Sequence, residues 1–357
     1  MNSEFIEALD QVAKEKGIDK EILLEAIETS LVSACKKNFG TSQNIRVAMD
    51  RQNGDVAVYV QKTVVEEVTN ENAEMTLEEA KKIKPFYEIG DQVDIEVTPK
   101  HFGRIAAQTA KQVVVQRIRE AERDLIYQQY ISKEKDIVNS IVQRKERKNV
   151  MVRLGKTEAI LAPNEQVPQE EYEFNERIKV YILEVKQTPK GPQIFVSRTH
   201  PELVKRLFEQ EVPEIQNGIV EIKSIAREAG SRTKMAVYSN DKDVDPVGAC
   251  VGQNGVRVNV VVNELRGEKI DIIHWDEDPK KFIAASLSPS KVVEVAINSE
   301  DKSAKVIVPD YQLSLAIGKE GQNARLAAKL TGWRIDIKSE TQAKTIDFIT
   351  DEDREQE

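Results

Sequence analysis

One stretch of this chain occurs twice, and that duplication limits what the chain can fold into more than anything else in it. The first copy is Val247-Gly248-Ala249-Cys250-Val251-Gly252-Gln253-Asn254-Gly255-Val256-Arg257. The second is Leu313-Ser314-Leu315-Ala316-Ile317-Gly318-Lys319-Glu320-Gly321-Gln322-Asn323. Each reads as an apolar helical turn, a β-branched residue, Gly-x-x-Gly and a second helix. The second helices end near Gly267 and Gly332, and each leads into a strand, Lys269-Ile270-Asp271-Ile272 and Arg334-Ile335-Asp336-Ile337. The offset is 66 residues at the glycines and 65 at the strands, so the chain carries a duplicated folding unit.

Gly-x-x-Gly between two helices is the means by which a K-homology (KH) domain grips RNA. Glycine lets the backbone approach a sugar–phosphate strand with no Cβ in the way. The helix that follows points its free N–H groups and its dipole at the phosphates. One such motif is weak evidence, because many helix–turn–helix junctions contain it; two copies with matching flanks are strong. The RNA-contacting residues expected on this basis are Gly252, Gln253, Asn254, Gly255 and Arg257 in the first copy. In the second they are Gly318, Lys319, Glu320, Gly321, Gln322, Asn323 and Arg325. Both loops read as exposed, so a carboxylate at Gly252 or Gly318 should weaken RNA binding and leave the thermal transition nearly unmoved.

The elements around the motifs follow the order helix-strand-strand-helix-GxxG-helix-strand of a type II KH domain. In the first unit, Ile219–Ile225 and Thr233–Ser239 read as paired strands, and Asp245-Pro246 as an N-cap followed by proline at the first helical position. In the second, Asp278-Pro279 opens a helix, Val292–Ile297 and Ala304–Val308 are strands, and Asp310 is read as the cap of the helix before Gly318. His274–Pro279 is so short a link that the two units are expected to pack rigidly and form one continuous RNA track. Arg227, Arg232 and Lys234 cluster on the first unit's hairpin, where phosphate contact and a solvated turn weigh equally.

Upstream, residues 136–198 hold five short apolar-alternating runs divided by turn residues such as Gly155, Pro163, Asn164 and Gly191. The pattern fits a small barrel of the OB type, with another small β-domain as the alternative. Its aromatics are Tyr172, Phe174, Tyr181 and Phe195, some of which must be core, so RNA affinity at this barrel is expected to be weak.

The first 132 residues read as an α/β domain. An amphipathic helix carries Phe5, Leu9, Val12 and Ala13, and a second has Ile22, Ala26, Ile27, Leu31 and Cys35 inward. A hairpin is signalled by Ile45-x-Val47-x-Met49 and Val56-x-Val58-x-Val60 joined through Asn53-Gly54. Thr76-Leu77-Glu78-Glu79 is a capping box, Gln92–Val97 a strand, and residues 103–131 one long helix that connects domains. Lys36, Lys37, Arg104 and Lys111 form a basic set; Arg104 and Lys111 are seven residues apart on one helix face.

Net charge is −9, which looks wrong for an RNA binder until it is divided along the chain. Residues 1–132 hold 17 Lys+Arg against 23 Asp+Glu, residues 133–200 hold 13 against 10, residues 201–338 hold 20 against 21, and residues 339–357 hold 2 against 7. The acid sits at the two ends and the middle is near neutral, so phosphate attraction is expected to be local and modest. Cys35 and Cys250 lie in apolar helical contexts with neither a disulfide framework nor zinc spacing. With no signal peptide and no membrane-length apolar run, a reducing, cytoplasmic setting is expected.

Asp241-Lys242-Asp243-Val244-Asp245 imitates a calcium loop, but Pro246 and Gly252 stand where Gly and Glu are required. His101, His200 and His274 have no metal or triad spacing, and neither a Walker loop nor Gly-x-Ser-x-Gly occurs. No catalytic constellation, metal site or cofactor is expected; the chain reads as a binding protein and not an enzyme.

The order of the units, with Ser197-Arg198-Thr199-His200-Pro201, Ile225-Ala226-Arg227-Glu228-Ala229-Gly230-Ser231-Arg232-Thr233-Lys234, Asp245-Pro246-Val247-Gly248-Ala249-Cys250-Val251-Gly252 and Leu287-Ser288-Pro289-Ser290-Lys291, strongly resembles the NusA family of bacterial transcription factors over nearly the whole chain. The resemblance implies a multidomain α+β chain: an N-terminal domain at 1–132, an S1 (OB-type) barrel at 133–200, KH domains at 201–276 and 277–345, and an acidic tail at 346–357. It implies that the N-terminal domain binds RNA polymerase at the β-subunit flap near the RNA exit. The S1–KH–KH body then receives nascent single-stranded and hairpin RNA. Such a factor prolongs pausing, assists intrinsic termination and joins other Nus factors in antitermination. Lys36, Lys37, Arg104 and Lys111 would then face an RNA hairpin. The tail Asp351–Glu357 stands where some members carry acidic repeats, and Glu320 places a carboxylate inside the second loop. The alternatives are an RNA-processing protein or a ribosome-associated RNA-binding protein with accessory S1 and KH modules.

Overall fold

The computed structural model describes residues 3–39, 44–99 and 102–344, which divide into two compact units at Ile126/Tyr127. The acidic tail at 346–357 lies outside the described residues, as does the side chain of Lys37.

The first unit opens with α1 (Ser3–Lys16) and α2 (Lys20–Phe39), followed by β1 (Asn44–Met49) and β2 (Val56–Val65). Then come β3 (Glu74–Thr76), α3 (Leu77–Ile83), β4 (Gln92–Glu96) and α4 (Phe102–Ile131). The central strand β2 pairs with β1 and β4 antiparallel and with β3 parallel. One core joins Leu9 of α1, Leu23, Ile27 and Leu31 of α2, Val47 of β1 and Ala106 and Ala110 of α4. Ile22 was expected inward on α2, but it is 51% exposed. Leu23 and Leu24 take the buried positions of the first turns, while Ile27, Leu31 and Cys35 are buried as read. The β1–β2 connection is longer than a two-residue turn: the Asp50 carboxylate accepts from the backbone N–H groups of Gln52 and Asn53, and Gly54 follows with φ 72°. The capping box forms as read, with Thr76 and Glu79 bonding each other's backbone N–H.

The second unit begins with five strands: β5 (Ile137–Glu146), β6 (Asn149–Leu154), β7 (Thr157–Leu161), β8 (Arg177–Thr188) and β9 (Gly191–Ser197). They close into a barrel in the order β5-β6-β7-β9-β8, with β7–β9 the parallel pair. Alternation fills the barrel from one face of each strand, with Val142, Val152, Leu161, Val180 and Ile194 inside. Tyr172 and Tyr181 are core and Phe174 is exposed.

Two α/β layers follow. The first comprises α5 (Pro201–Glu211), α6 (Pro213–Gln216), β10 (Val220–Glu228), β11 (Arg232–Ser239), α7 (Pro246–Val251), α8 (Val256–Glu264) and β12 (Lys269–His274). The second comprises α9 (Pro279–Ser286), β13 (Glu294–Asn298), β14 (Ser303–Val308), α10 (Leu313–Ile317), α11 (Gln322–Thr331) and β15 (Arg334–Ser339). Each sheet has one antiparallel and one parallel pair in sequence order, the arrangement expected of a type II KH unit. The two layers share a core in which Ala226, Ala236 and Ile273 of the first sheet meet Phe282, Leu326 and Leu330 of the second layer's helices. The two layers are thus in direct apolar contact beyond the short link.

Asp245 and Asp278 cap their helices as read. Asp310 does not cap α10: its carboxylate accepts from the Thr341 backbone and hydroxyl, and a 3-10 turn (Asp310–Gln312) leads into the helix instead.

Candidate nucleic-acid interface

The two loops repeat each other in backbone angle. Helix α7 stops at Gly252 (φ 73°, ψ 171°), Asn254 turns left-handed (φ 54°, ψ 25°), and Gly255 (φ 76°, ψ 13°) starts α8. In the second copy Gly318 (φ 75°, ψ 172°), Glu320 (φ 53°, ψ 27°) and Gly321 (φ 75°, ψ 14°) do the same before α11. Neither α8 nor α11 has a side chain bonded at its N-cap. The first N–H of each helix is spent within the loop, Val256 donating to the Gln253 carbonyl and Gln322 to the Lys319 carbonyl, so what each helix start presents to solvent is the positive end of its dipole.

Gly252 and Gly318 are not the free loop positions they were expected to be. A Cβ on Gly252 would stand 2.8 Å from Cγ of Arg257, and one on Gly318 would stand 2.8 Å from the backbone N of Asn323. Positive φ adds strain to any side chain there. The expectation that substitution leaves stability unmoved is therefore corrected: the first glycine of each loop is a packing position as well as a loop position.

Around the loops the surface is apolar. Val256 is 61% and Val260 46% exposed on α8; Tyr311 is 80% exposed before α10, which also exposes Leu315 and Ile317. Gln253, Asn254, Lys319 and Glu320 are exposed at the loop tips.

Several expected cations are engaged inside the protein. Arg227 is buried: its guanidinium holds Glu268 at 2.9 Å and donates to the His200 carbonyl. Arg232 is bound to Asp271 at 2.6 Å. Lys234 is fully buried, donating to the Ser288 carbonyl at 2.7 Å with Asp271 at 3.2 Å. Burial pulls the Lys234 ammonium pKa down, with Asp271 opposing. These three are structural ion pairs, each guanidinium or ammonium being held by a carboxylate, Glu268 or Asp271, beside the continuously buried strand β11. Arg257 turns back to the Ala249 carbonyl (2.6 Å) and Glu214 (2.9 Å). Gln322 donates to Glu228 and Ser231, and Arg325 donates to Glu228 at 2.6 Å, so both bind the first layer. Asn323 is buried and donates to the Leu287 and Ala316 carbonyls. These contacts stand against a direct RNA role for Arg227, Lys234 and Asn323.

Comparison with known proteins matches residues 4–124 to the NusA N-terminal domain, residues 198–275 to the NusA-like first KH domain and residues 279–345 to the NusA-like second KH domain. Three relatives are each named transcription termination/antitermination protein NusA. That of Halalkalibacterium halodurans is 60% identical over 99% of this chain and 92% of the relative. That of Bacillus subtilis is 61% identical over 97% and 93%. That of Thermus thermophilus is 43% identical over 94% and 89%. The chain belongs to the NusA family.

In this NusA-family chain the residues that sequence reasoning left without a role are the buried carboxylates and Arg198. Arg198 is fully buried where the barrel meets the first KH layer. Its guanidinium binds both oxygens of Glu170 (2.5 and 2.9 Å), Glu264 Oε1 (3.0 Å), and the carbonyls of Lys179 and Glu264. Glu268 gathers Arg227, Thr233 Oγ1 and the Gly230 N–H. The signal for Arg198 was present as part of Ser197-Arg198-Thr199-His200-Pro201, but charge alone suggests a surface.

The first unit carries the other basic set. Lys36 on α2 and Arg104 and Lys111 on α4 are exposed. Among the described residues no group of three His, Cys, Asp or Glu is placed to hold a metal ion, and no helix is long and apolar enough to cross a membrane.

Proposed function

We propose that this chain is an RNA-binding transcription factor that acts in termination and antitermination, as its relatives' names state. Residues 1–132 bind RNA polymerase at the β-subunit flap, and the S1–KH–KH body takes nascent RNA and joins other Nus factors. The observation that carries the reading is the pair of Gly-x-x-Gly loops with matching backbone angles, each opening a helix that has no side-chain cap, on a chain of the NusA family. RNA is gripped at Gly252–Gly255 and Gly318–Gly321 by backbone N–H groups and the apolar flanks, with Lys319 adding charge. Lys36, Lys37, Arg104 and Lys111 meet a nascent hairpin through its phosphates, without reading bases.

Two measurements test it. The loop tips are the right place to perturb, because the glycines carry packing. Gln253→Asp with Lys319→Asp should lower affinity for single-stranded RNA about tenfold or more, with an unchanged thermal transition. Unaltered affinity would remove the loops from the RNA site. In an in vitro pause assay, the full chain with Lys36, Lys37, Arg104 and Lys111 all changed to Ala should bind polymerase normally and lose most of its effect on a hairpin-stabilised pause. A variant that pauses polymerase as the parent does would end the hairpin assignment.

A further inference from the structure

A cleft of about 440 Å³ lies between the barrel and the end of α8, lined by Asn139, Ile141, Arg153, Arg177, Lys179 and Glu264 among others. Ile141 faces Arg153 across β5–β6 and Arg177 across β5–β8, so the three residues form one row over adjacent strands. Residues of one row project from the same face of a sheet. Ser140 points inward and bonds the Ile178 carbonyl, which leaves the row outside the barrel. Both arginines are exposed.

The carboxylates around them are already taken. Glu158, the cross-strand partner of Arg153, is held in a two-pronged pair by Arg144. Glu176, next to Arg177, is held by Arg266. Glu264 is held by buried Arg198. Among the described residues neither Arg153 nor Arg177 has a carboxylate partner, and they flank an apolar residue at the floor of a cleft. Two forked donors over an apolar floor fit a phosphate with a base beside it.

Helix α8 connects this cleft to the first Gly-x-x-Gly loop. It starts at that loop and ends at Glu264, about 13 Å further on. Its exposed residues are Val256, Asn259, Val260 and Asn263, at i, i+3, i+4 and i+7. The solvent face of a surface helix is ordinarily charged; this one is a stripe of valine and asparagine.

The geometry points to a path for single-stranded RNA that leaves the first loop, runs along the Val/Asn stripe of α8 and places a phosphate between Arg153 and Arg177. The cleft is five residues back along β5 from the β5–β6 loop, one of the two loops at which OB folds ordinarily take oligonucleotides. The path rests on the RNA-binding reading above.

The test is the salt dependence of binding a long, labelled single-stranded RNA to the full chain. Arg153→Ala with Arg177→Ala should reduce the slope of log K against log salt by about 0.7, the value for one phosphate contact on a single strand. Arg153→Lys with Arg177→Lys should restore it. Asn259→Asp with Asn263→Asp should weaken the same RNA severalfold. Thermal transitions should not move, because all four side chains are exposed. An alanine pair with the parent's slope overturns the cleft, and aspartates on α8 without effect overturn the path. If the parent binds RNA and only the loop-tip variants lack an effect, the loop assignment fails while the cleft stands; if the parent binds no RNA, both fall.

Discussion

The two Gly-x-x-Gly loops share their backbone angles, and the helices that leave them have different surroundings. At the 66-residue offset, Val256, Asn259, Val260 and Asn263 of α8 correspond to Gln322, Arg325, Leu326 and Lys329 of α11. In α8 this face is open. In α11 it is the docking face: Leu326 enters the shared core, and Gln322 and Arg325 bind Glu228 of the first KH layer. The sheets differ in step. Strand β11 is buried without a break from Thr233 to Val237, because α11 covers its outer face, whereas β14 alternates, with Ala304, Val306 and Val308 buried and Lys305 exposed. A duplicated unit has thus kept its loop and divided its surfaces. One helix face stays available to a ligand while the other holds the pair together.

The first layer is also braced by buried charge and the second by apolar contact with the amide of Asn323. The sharpest way to break that contrast is Arg227→Ala, which strands the buried Glu268 carboxylate. It should cost about 3–5 kcal/mol in urea denaturation. A loss under 1 kcal/mol, of the size typical for an exposed pair, would show that the brace is not a buried ion pair.

Next in size are the glycines. Gly318→Ala should cost about 3 kcal/mol, because its Cβ meets the Asn323 backbone at positive φ. Gly252→Ala should cost about 1–2 kcal/mol, because the Arg257 side chain can shift. Equal losses would mean that both loops have the same freedom and that the contrast in packing is illusory.

The smallest effect concerns the contact between layers. The hydrogen bond from Arg325 holds the Glu228 carboxyl below the usual carboxylate range. A depressed carboxylate stabilises above its unfolded pKa and loses that contribution as pH falls through its folded value. The contact should therefore loosen only below about pH 4.3. Trp275 packs at this shared core and can report the change by fluorescence once the other tryptophan is removed by Trp333→Phe. Glu228→Gln should abolish the acid transition at Trp275; its persistence would place the titrating group elsewhere.

Much of this was legible in sequence because it is local. Asp245-Pro246 and Asp278-Pro279 cap helices through bonds to the next two or three residues, and a glycine at positive φ is needed wherever the loop occurs. Alternation likewise delivered the barrel strands. Asp310 misled because an acid at a helix start looks like a cap, while here a partner thirty-one residues away, Thr341, competes for it.

The sequence by itself determined the duplicated unit, the order of strands and helices, and the backbone form of both loops, since each depends on neighbours a few positions apart. Only the tertiary structure decided which charges face solvent. Arg227, Lys234 and Arg198 are as basic in sequence as Arg153 and Arg177. The first three are buried because carboxylates and carbonyls from distant strands and helices converge on them. The last two stay open because their neighbouring carboxylates are bound to other arginines. Charge is a property of a residue, but its availability depends on which long-range contacts remove it from water and which partners reach it first.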